Sequence, residues 1–160
     1  MREMTPREME MVLERARWAT ICTVTPEGRP HAIEATPFRD MGDICFMINP
    51  AGKTRRNVAT NPSILLKYTL ANRDLSWWAG VSCQGFGRFD ENPASIRRGF
   101  ARLGQIMGAD YAAAGIKHSA DGERSPMLRV TFREITGRCS GGFQAAFPME
   151  TIAAAERFLG

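Results

Sequence analysis

The chain has 160 residues, of which 44% are hydrophobic and 24% are charged. This composition is typical of a globular protein with a sizeable core, and it excludes disordered and fibrous proteins. The 21 basic and 17 acidic residues give a net charge of +4, which mildly favours anionic ligands. A dedicated nucleic-acid-binding protein would carry a stronger basic stripe, so nucleic acid is not the expected partner. We expect a single domain over residues 1–160.

The first residues lack the apolar core of a signal peptide, and no stretch is apolar over the length needed to cross a bilayer. The four cysteines are widely separated and contain no C-x-x-C pair: Cys22, Cys45, Cys83 and Cys139. We interpret them as small buried hydrophobic residues rather than as ligands of zinc or of an iron–sulfur cluster. The sequence therefore predicts a cytoplasmic protein without a metal site or a membrane partner.

The chain opens with a predicted helix and a β-hairpin. Thr5 and Glu8 have the spacing of a capping box, and Pro6 suits the first position of a helix. The β-branched run at 18–25 ends in a Pro-Glu-Gly turn, which predicts a hairpin whose second strand continues to Phe38.

The remaining elements alternate between short strands and helices. Further strands are predicted at 44–48, 63–70, 77–89 and 127–135. Asn92 and Pro93 begin a helix that ends at Gly108, 110–125 is expected to be a loop, and the apolar spacing after Pro148 predicts a short closing helix. Six or so strands joined mostly by short turns predict a mainly β protein, a small antiparallel barrel capped by helices.

A strand, a turn and a short helix meet between residues 44 and 61. Asn49, Pro50 and Gly52 are turn formers, and a helix of about two turns follows until Pro62 ends it. Three cations and a hydroxyl gather at the start of this helix: Lys53, Thr54, Arg55 and Arg56. Because helix N-termini carry unpaired N–H groups, the pattern indicates a phosphate-binding corner. A solvated basic turn is the alternative.

An ordered set of motifs extends over about half of the chain. Its members are Ala19–Val24 before the Gly28 turn, Pro30-His31, Thr36-Pro37-Phe38, Lys53, Asn57-Val58, Asn61-Pro62 and Gln84–Phe89. Together these motifs resemble the FMN-binding split β-barrel group, the pyridoxamine 5'-phosphate oxidase-like superfamily, over about residues 9–90. The predicted fold is accordingly a split β-barrel.

The resemblance implies a homodimer that binds FMN at the subunit interface. The phosphate would be held by Lys53 and Thr54, with Arg55 or Arg56 and Asn57 as neighbours. The backbone facing the isoalloxazine ring would come from Glu34, Ala35, Thr36 and Pro37. Ile48 and Asn49 would lie beside the ring, and Gln84 would reach it from the adjacent strand or across the dimer.

The chain also departs from the family pattern. Its last residues, 148–160, lack the paired Arg and His of authentic pyridoxamine phosphate oxidases, so we do not expect that activity. His31, beside Pro30, is interpreted as a turn histidine. Trp77 and Trp78 alternate between the two faces of a strand, which favours core packing over stacking on a cofactor.

The sequence contains no catalytic triad, paired-carboxylate motif or glycine-rich nucleotide loop. Any redox chemistry would therefore come from the cofactor. We predict an FMN-dependent oxidoreductase that moves electrons or hydride between a nicotinamide or other donor and a small acceptor. The alternatives are a non-catalytic flavin or electron carrier, a haem- or deazaflavin-binding split barrel, and a nucleic-acid-binding barrel.

Overall fold

The computed structural model describes residues 1–108 and 124–143. Most of the loop predicted at 110–125 and the closing helix predicted after Pro148 lie outside these residues. The described residues form two compact units, one from Met1–Ala16, Lys67–Ser82 and 135–143, the other from Arg17–Leu66, 83–108 and 124–134. We call them the first and the second unit.

Three helices are present in the described residues: α1 at Pro6–Arg15, α2 at Lys53–Thr60 and α3 at Pro93–Met107. The capping box of α1 is confirmed, since Thr5 Oγ1 accepts the Glu8 N–H at 3.3 Å and the Glu8 carboxylate accepts the Thr5 N–H at 2.8 Å. The predicted cap of α3 is confirmed as well, because the Asn92 side chain accepts the Ala94 N–H at 2.9 Å. None of these three helices has the length and apolar character needed to cross a membrane.

Within residues 1–108 and 124–143, eight strands form one sheet. They are β1 Arg2–Glu3, β2 Ala19–Val24, β3 Pro30–Ala35, β4 Phe38–Asp40, β5 Asp43–Met47, β6 Ser63–Ala71, β7 Trp78–Phe89 and β8 Met127–Cys139. Their order is β3-β2-β6-β7-β8-β5-β4, and β1 pairs with β8. The registered pairs β1–β8, β2–β3, β4–β5 and β5–β8 are antiparallel. The predicted class, mainly β with helices, is confirmed.

The strand predicted to run to Phe38 is in fact two strands. β3 ends at Ala35 and pairs with β2, whereas β4 begins at Phe38 and pairs with β5. The break falls at Thr36 and Pro37, and proline has no N–H to donate to a ladder. This break and the two-residue strand β1 explain why the described residues form more strands than the six or so predicted.

The core of the second unit lies between α3 and the strands β4, β5 and β8. Phe38, Cys45 and Met127 pack together with Met47 and Ile96 against them. Gly99 allows helix α3 to approach Phe38 on β4 closely, since a Cβ at this position would lie 3.1 Å from the Phe38 ring.

The first unit has its own apolar core beneath α1. Met4, Val12 and Leu13 are buried there, and the Trp77 and Phe143 rings lie 6.1 Å apart. Trp77 lies just before β7 rather than in it, and its partly buried ring is near the Phe143 ring.

The four cysteines form no disulfide, and Cys45, Cys83 and Cys139 are fully buried. Burial raises the pKa of the Cys45 thiol to about 12, so this thiol remains protonated and unreactive at neutral pH. Their interpretation as small hydrophobic residues is confirmed for these three.

Candidate functional site

The turn between β5 and α2 is fixed by its own hydrogen bonds. Asn49 Oδ1 accepts the Ala51 N–H at 2.9 Å, and the Asn49 carbonyl accepts the Gly52 N–H at 3.1 Å. A Cβ at Gly52 would lie 3.2 Å from the same carbonyl, which favours glycine at this position. These hydrogen bonds therefore fix the conformation of the turn from which α2 begins.

The start of α2 collects several groups that bind anions. Gly52 is the N-cap and offers no side chain to the first N–H groups of the helix. Lys53 is exposed, whereas Thr54 is only 4% exposed, and Thr54 Oγ1 lies 3.5 Å from His31 Nε2. An ammonium, a hydroxyl, an imidazole and helical N–H groups at one helix end form a suitable site for a phosphate. We call this group of residues the corner.

Arg55 belongs to α2, but its guanidinium contacts residues outside this helix. It donates to the Ser125 carbonyl at 2.6 Å and to Glu91 at 2.6 Å, and it lies 4.3 Å from the centre of the Phe89 ring. The hydrogen bond from Arg55 also lowers the pKa of the Glu91 carboxyl. Arg55 thus joins α2 to the segments around it, which leaves Arg56 as the exposed arginine of the predicted pair.

Asn57 also has a structural contact. Its Nδ2 donates to Thr23 Oγ1 at 2.9 Å, and both side chains are buried. This bond fastens α2 to β2 at the residue that pairs with His31, so the amide is engaged by Thr23 beside the corner.

A cleft of about 190 Å³ lies in the second unit. Five of the residues that were expected to face a ring line it: Glu34, Ala35, Thr36, Ile48 and Asn49. The other walls come from Trp18, Ile33, Met47, Leu103 and Met107. We call it the ring cleft.

The ring cleft combines apolar walls with a few oriented polar groups. The Glu34 carboxylate accepts a hydrogen bond from Thr20 Oγ1 at 2.6 Å, and the Thr36 hydroxyl lies 3.3 Å from Met107 Sδ. Apolar walls with a small number of placed polar groups are typical of sites for organic ligands. A flat heteroaromatic ring with polar edges suits this lining.

Two chain segments connect the corner with the ring cleft. Strand β3 leads from His31 to Ala35, a distance of about 13 Å in an extended strand. The second segment leads from Ile48 and Asn49 through the turn to Lys53. The corner and the ring cleft therefore lie along the same two segments, at a spacing that suits a ligand with a phosphate at one end and a ring at the other.

Two predicted residues lie apart from the ring cleft. Pro37 is half-buried directly after Thr36 but does not line the cleft, and Gln84 is exposed on β7. Gln84 instead lines a second cleft of about 560 Å³ in the same unit, together with residues such as Cys22, Leu65 and Phe86.

The structure adds residues that the sequence interpretation missed. The sequence predicts a turn histidine at His31, whereas His31 lies in β3, on the same face as Ile33 and Ala35. The contributions of Trp18 and of Leu103 and Met107 on α3 follow from tertiary contacts, which leave no local pattern. In the described residues, no three His, Cys, Asp or Glu side chains are grouped to hold a metal ion.

Solved structures show which fold this arrangement belongs to. A conserved hypothetical protein from Mycobacterium tuberculosis has a TM-score of 0.69 and 19% identity, with 91% of this chain and 89% of that chain covered. HutZ, the heme storage protein from Vibrio cholerae, has a TM-score of 0.66 and 13% identity, with 81% and 92% covered. The FAD binding protein from Mycobacterium smegmatis has a TM-score of 0.60 and 16% identity, with 87% and 98% covered.

These likenesses show the fold, which is the predicted split barrel. No curated protein sequence matches the chain. A family model described as pyridoxamine 5'-phosphate oxidase matches residues 5–139, which is most of the chain. The chain belongs to the pyridoxamine 5'-phosphate oxidase family.

Proposed function

We propose that the chain is an FMN-binding flavoprotein that acts as an oxidoreductase. The observation that carries the proposal is that β3 and the turn before α2 each join the corner to the ring cleft. The corner offers Lys53, Thr54 and His31 to a single phosphate, and the cleft offers apolar walls to a ring. Solved structures with this fold include an FAD binding protein and a heme storage protein, which supports a planar redox cofactor.

Each end of the site has a defined role in this proposal. Lys53 and the N–H groups of α2 would hold the phosphate, and the Thr54 hydroxyl would add a hydrogen bond beside His31. Glu34 and Asn49 would set the orientation of the ring edge, while Ile33 and Met47 would exclude water from its face. The bound flavin would supply the redox chemistry, by accepting and releasing electrons or hydride.

The transfer would run from a nicotinamide or other reduced donor to a small oxidised acceptor. The residues that line the ring cleft include no cysteine, lysine or histidine, so the described lining offers no nucleophile of these types. The chain would act by binding and orienting the cofactor. A non-catalytic flavin or electron carrier would need the same site, so turnover has to be measured separately from binding.

The visible absorption spectrum of the purified protein, taken before and after incubation with excess FMN and desalting, tests the proposal. Retained flavin bands, followed by reoxidation of reduced flavin when an acceptor is added, would support an FMN-dependent oxidoreductase. Retained flavin without turnover would indicate a carrier. A Soret band would indicate that the cofactor is haem rather than FMN. A colourless protein that takes up only a deazaflavin would indicate that the cofactor is a deazaflavin. Failure to retain any of these would reject the proposal.

We also propose that the protein is a homodimer, with FMN bound at the subunit interface. The second cleft supports this part, because three apolar side chains on neighbouring strands are partly exposed there: Val24 at 36%, Leu65 at 36% and Phe86 at 39%. Arg133 and Glu134 lie beside them, and a two-fold interface can set such a pair against its opposite charges. Gln84 on the same surface could then reach a cofactor across the interface.

Sedimentation equilibrium measures the assembly directly. We expect a dimer in wild-type protein and a shift toward the monomer in Phe86→Glu, since this change places a charge on the apolar surface. A wild-type protein that stays monomeric at micromolar concentration, with and without FMN, would contradict the dimer.

A further inference from the structure

One large aromatic side chain stands at the rim of the ring cleft. Trp18 is 55% exposed, although an indole gains from burial. It immediately precedes β2, whose first residue Ala19 pairs with Ala35. Trp18 is thereby held beside the residues of the cleft, and its indole forms part of the cleft wall.

The wall contributed by α3 is also held in position. Met107 lies near the end of this helix, where its sulfur is 3.3 Å from the Thr36 hydroxyl. Leu103, one turn earlier, is buried. An exposed indole and a helix-borne thioether therefore border the cleft, and both groups pack well against flat aromatic rings.

We propose that Trp18 binds the cofactor ring by stacking its indole on the ring face. This inference deepens the proposed function and rests on it. It assigns to Trp18 a contribution to the binding affinity that depends on the ring of the cofactor and not on its phosphate. Covering the ring with Trp18 would bury apolar surface of both partners and shield one ring face from solvent.

The two ends of FMN can be tested separately because riboflavin carries the ring without the phosphate. Both ligands are titrated against wild type, Trp18→Ala, Trp18→Phe and Lys53→Ala. We expect Trp18→Ala to lower the affinities for FMN and riboflavin by the same factor, roughly threefold to tenfold. Trp18→Phe should retain most of both affinities, and Lys53→Ala should lower the affinity for FMN alone.

Tryptophan emission gives a second measurement. A flavin stacked on an indole quenches its emission, so Trp18→Phe should lose most of the quenching seen on FMN addition. Trp78→Phe is the matched control, because Trp78 lines a different cleft and not the ring cleft, so its replacement should leave the quenching of Trp18 in place. Near-ultraviolet circular dichroism of Trp18→Ala would verify that the variant is folded.

The outcomes separate this inference from the proposed function. Unchanged affinities in a folded Trp18→Ala variant, with FMN binding still weakened by Lys53→Ala, would overturn the role of Trp18 and leave the FMN site standing. A wild-type protein that binds neither FMN nor riboflavin would overturn both. A loss in Trp18→Ala that affects FMN but not riboflavin would also contradict stacking on the ring.

Discussion

At the scale of single residues, the four polar side chains that begin α2 have different surroundings. Lys53 and Arg56 are exposed, whereas Thr54 lies beside His31 and Arg55 is engaged by Glu91 and the Ser125 carbonyl. An exposed ammonium at the first position of a helix is free to turn toward an anion placed at that end. Lys53 is therefore the cation that we expect to contribute most to binding the phosphate.

Replacing Lys53 with alanine should weaken FMN binding by about 1.5–3 kcal/mol, the size of one charge-assisted hydrogen bond. This corresponds to roughly a 10- to 150-fold higher Kd, which isothermal titration calorimetry would measure. Lys67→Ala is the control, since it removes the same charge from an exposed position on β6. An equal loss in both variants would mean that net charge, rather than the corner, governs the affinity.

At the scale of an element, α1 depends on the electrostatics of its first turn. Glu8 closes the capping box and also binds Arg2, whose guanidinium nitrogens lie 2.5 and 2.9 Å from the carboxylate oxygens. The hydrogen bond from Arg2 and those from Thr5 lower the pKa of Glu8 to about 2, against the cost of its burial. A carboxyl whose pKa is lowered by folding stabilises the protein above its ordinary pKa of 4.5, and this stabilisation fades as the pH falls toward about 2.

The variant Glu8→Gln should lose about 1 kcal/mol of unfolding free energy at pH 7, because glutamine keeps the shape of the cap but not the charge. The difference from wild type should shrink as the pH is lowered through 4 toward 2.5, since Glu8 then takes up a proton in the unfolded wild-type chain, which favours unfolding of wild type but not of the variant. Urea unfolding followed by circular dichroism at these pH values would measure both effects.

Glu14→Gln is the matched control, because it removes a carboxylate from an exposed position on the same helix. We expect its unfolding free energy to stay within about 0.5 kcal/mol of wild type. If the difference for Glu8→Gln stayed constant from pH 7 to pH 2.5, the charge of Glu8 would not be its source.

At the scale of the whole molecule, a buried arginine joins segments that are far apart in the sequence. Arg129 on β8 is only 4% exposed and donates to Asp40 at 2.6 Å and to Asp90 at 3.0 Å. Arg98 on α3 binds the same Asp40 at 3.0 Å. Hydrogen bonds from Arg98 and Arg129 lower the pKa of Asp40. Burial by itself would raise the pKa of Asp90, but hydrogen bonds from the Asn92 N–H and from Arg129 outweigh this effect and lower it.

Arg129→Met should be strongly destabilised, by about 3 kcal/mol at pH 7, because it leaves Asp90 buried without its cation. The penalty should decrease as the pH falls below 4, because the aspartates of the variant, without Arg129 to keep them ionised, take up protons there and no longer leave a buried charge uncompensated. Thermal unfolding at pH 7 and pH 3.5 would show this. Arg138→Met, at an exposed position of β8, should unfold like wild type, and equal losses in the two variants would contradict the role of the buried pairs.

Much of the fold was predictable because its signals are local. Capping residues, β-branched runs and turn formers act on their sequence neighbours, so α1, α3 and most strands were recognised from the sequence. The break at Thr36 and Pro37 was missed, since the residues on both sides favour strands. The neighbours of each strand in the sheet depend on distant segments, as in the pairing of β5 with β8.

The site divides in the same way. The sequence by itself determined the candidate phosphate corner, because a turn and a helix start place Lys53 and Thr54 together through local geometry alone. Only the tertiary structure decided that Arg55 turns toward Glu91, that His31 joins the corner, and that Trp18 and Met107 border the ring cleft. These contacts join residues from separate strands and helices, and their positions depend on how those elements pack, which no local pattern specifies.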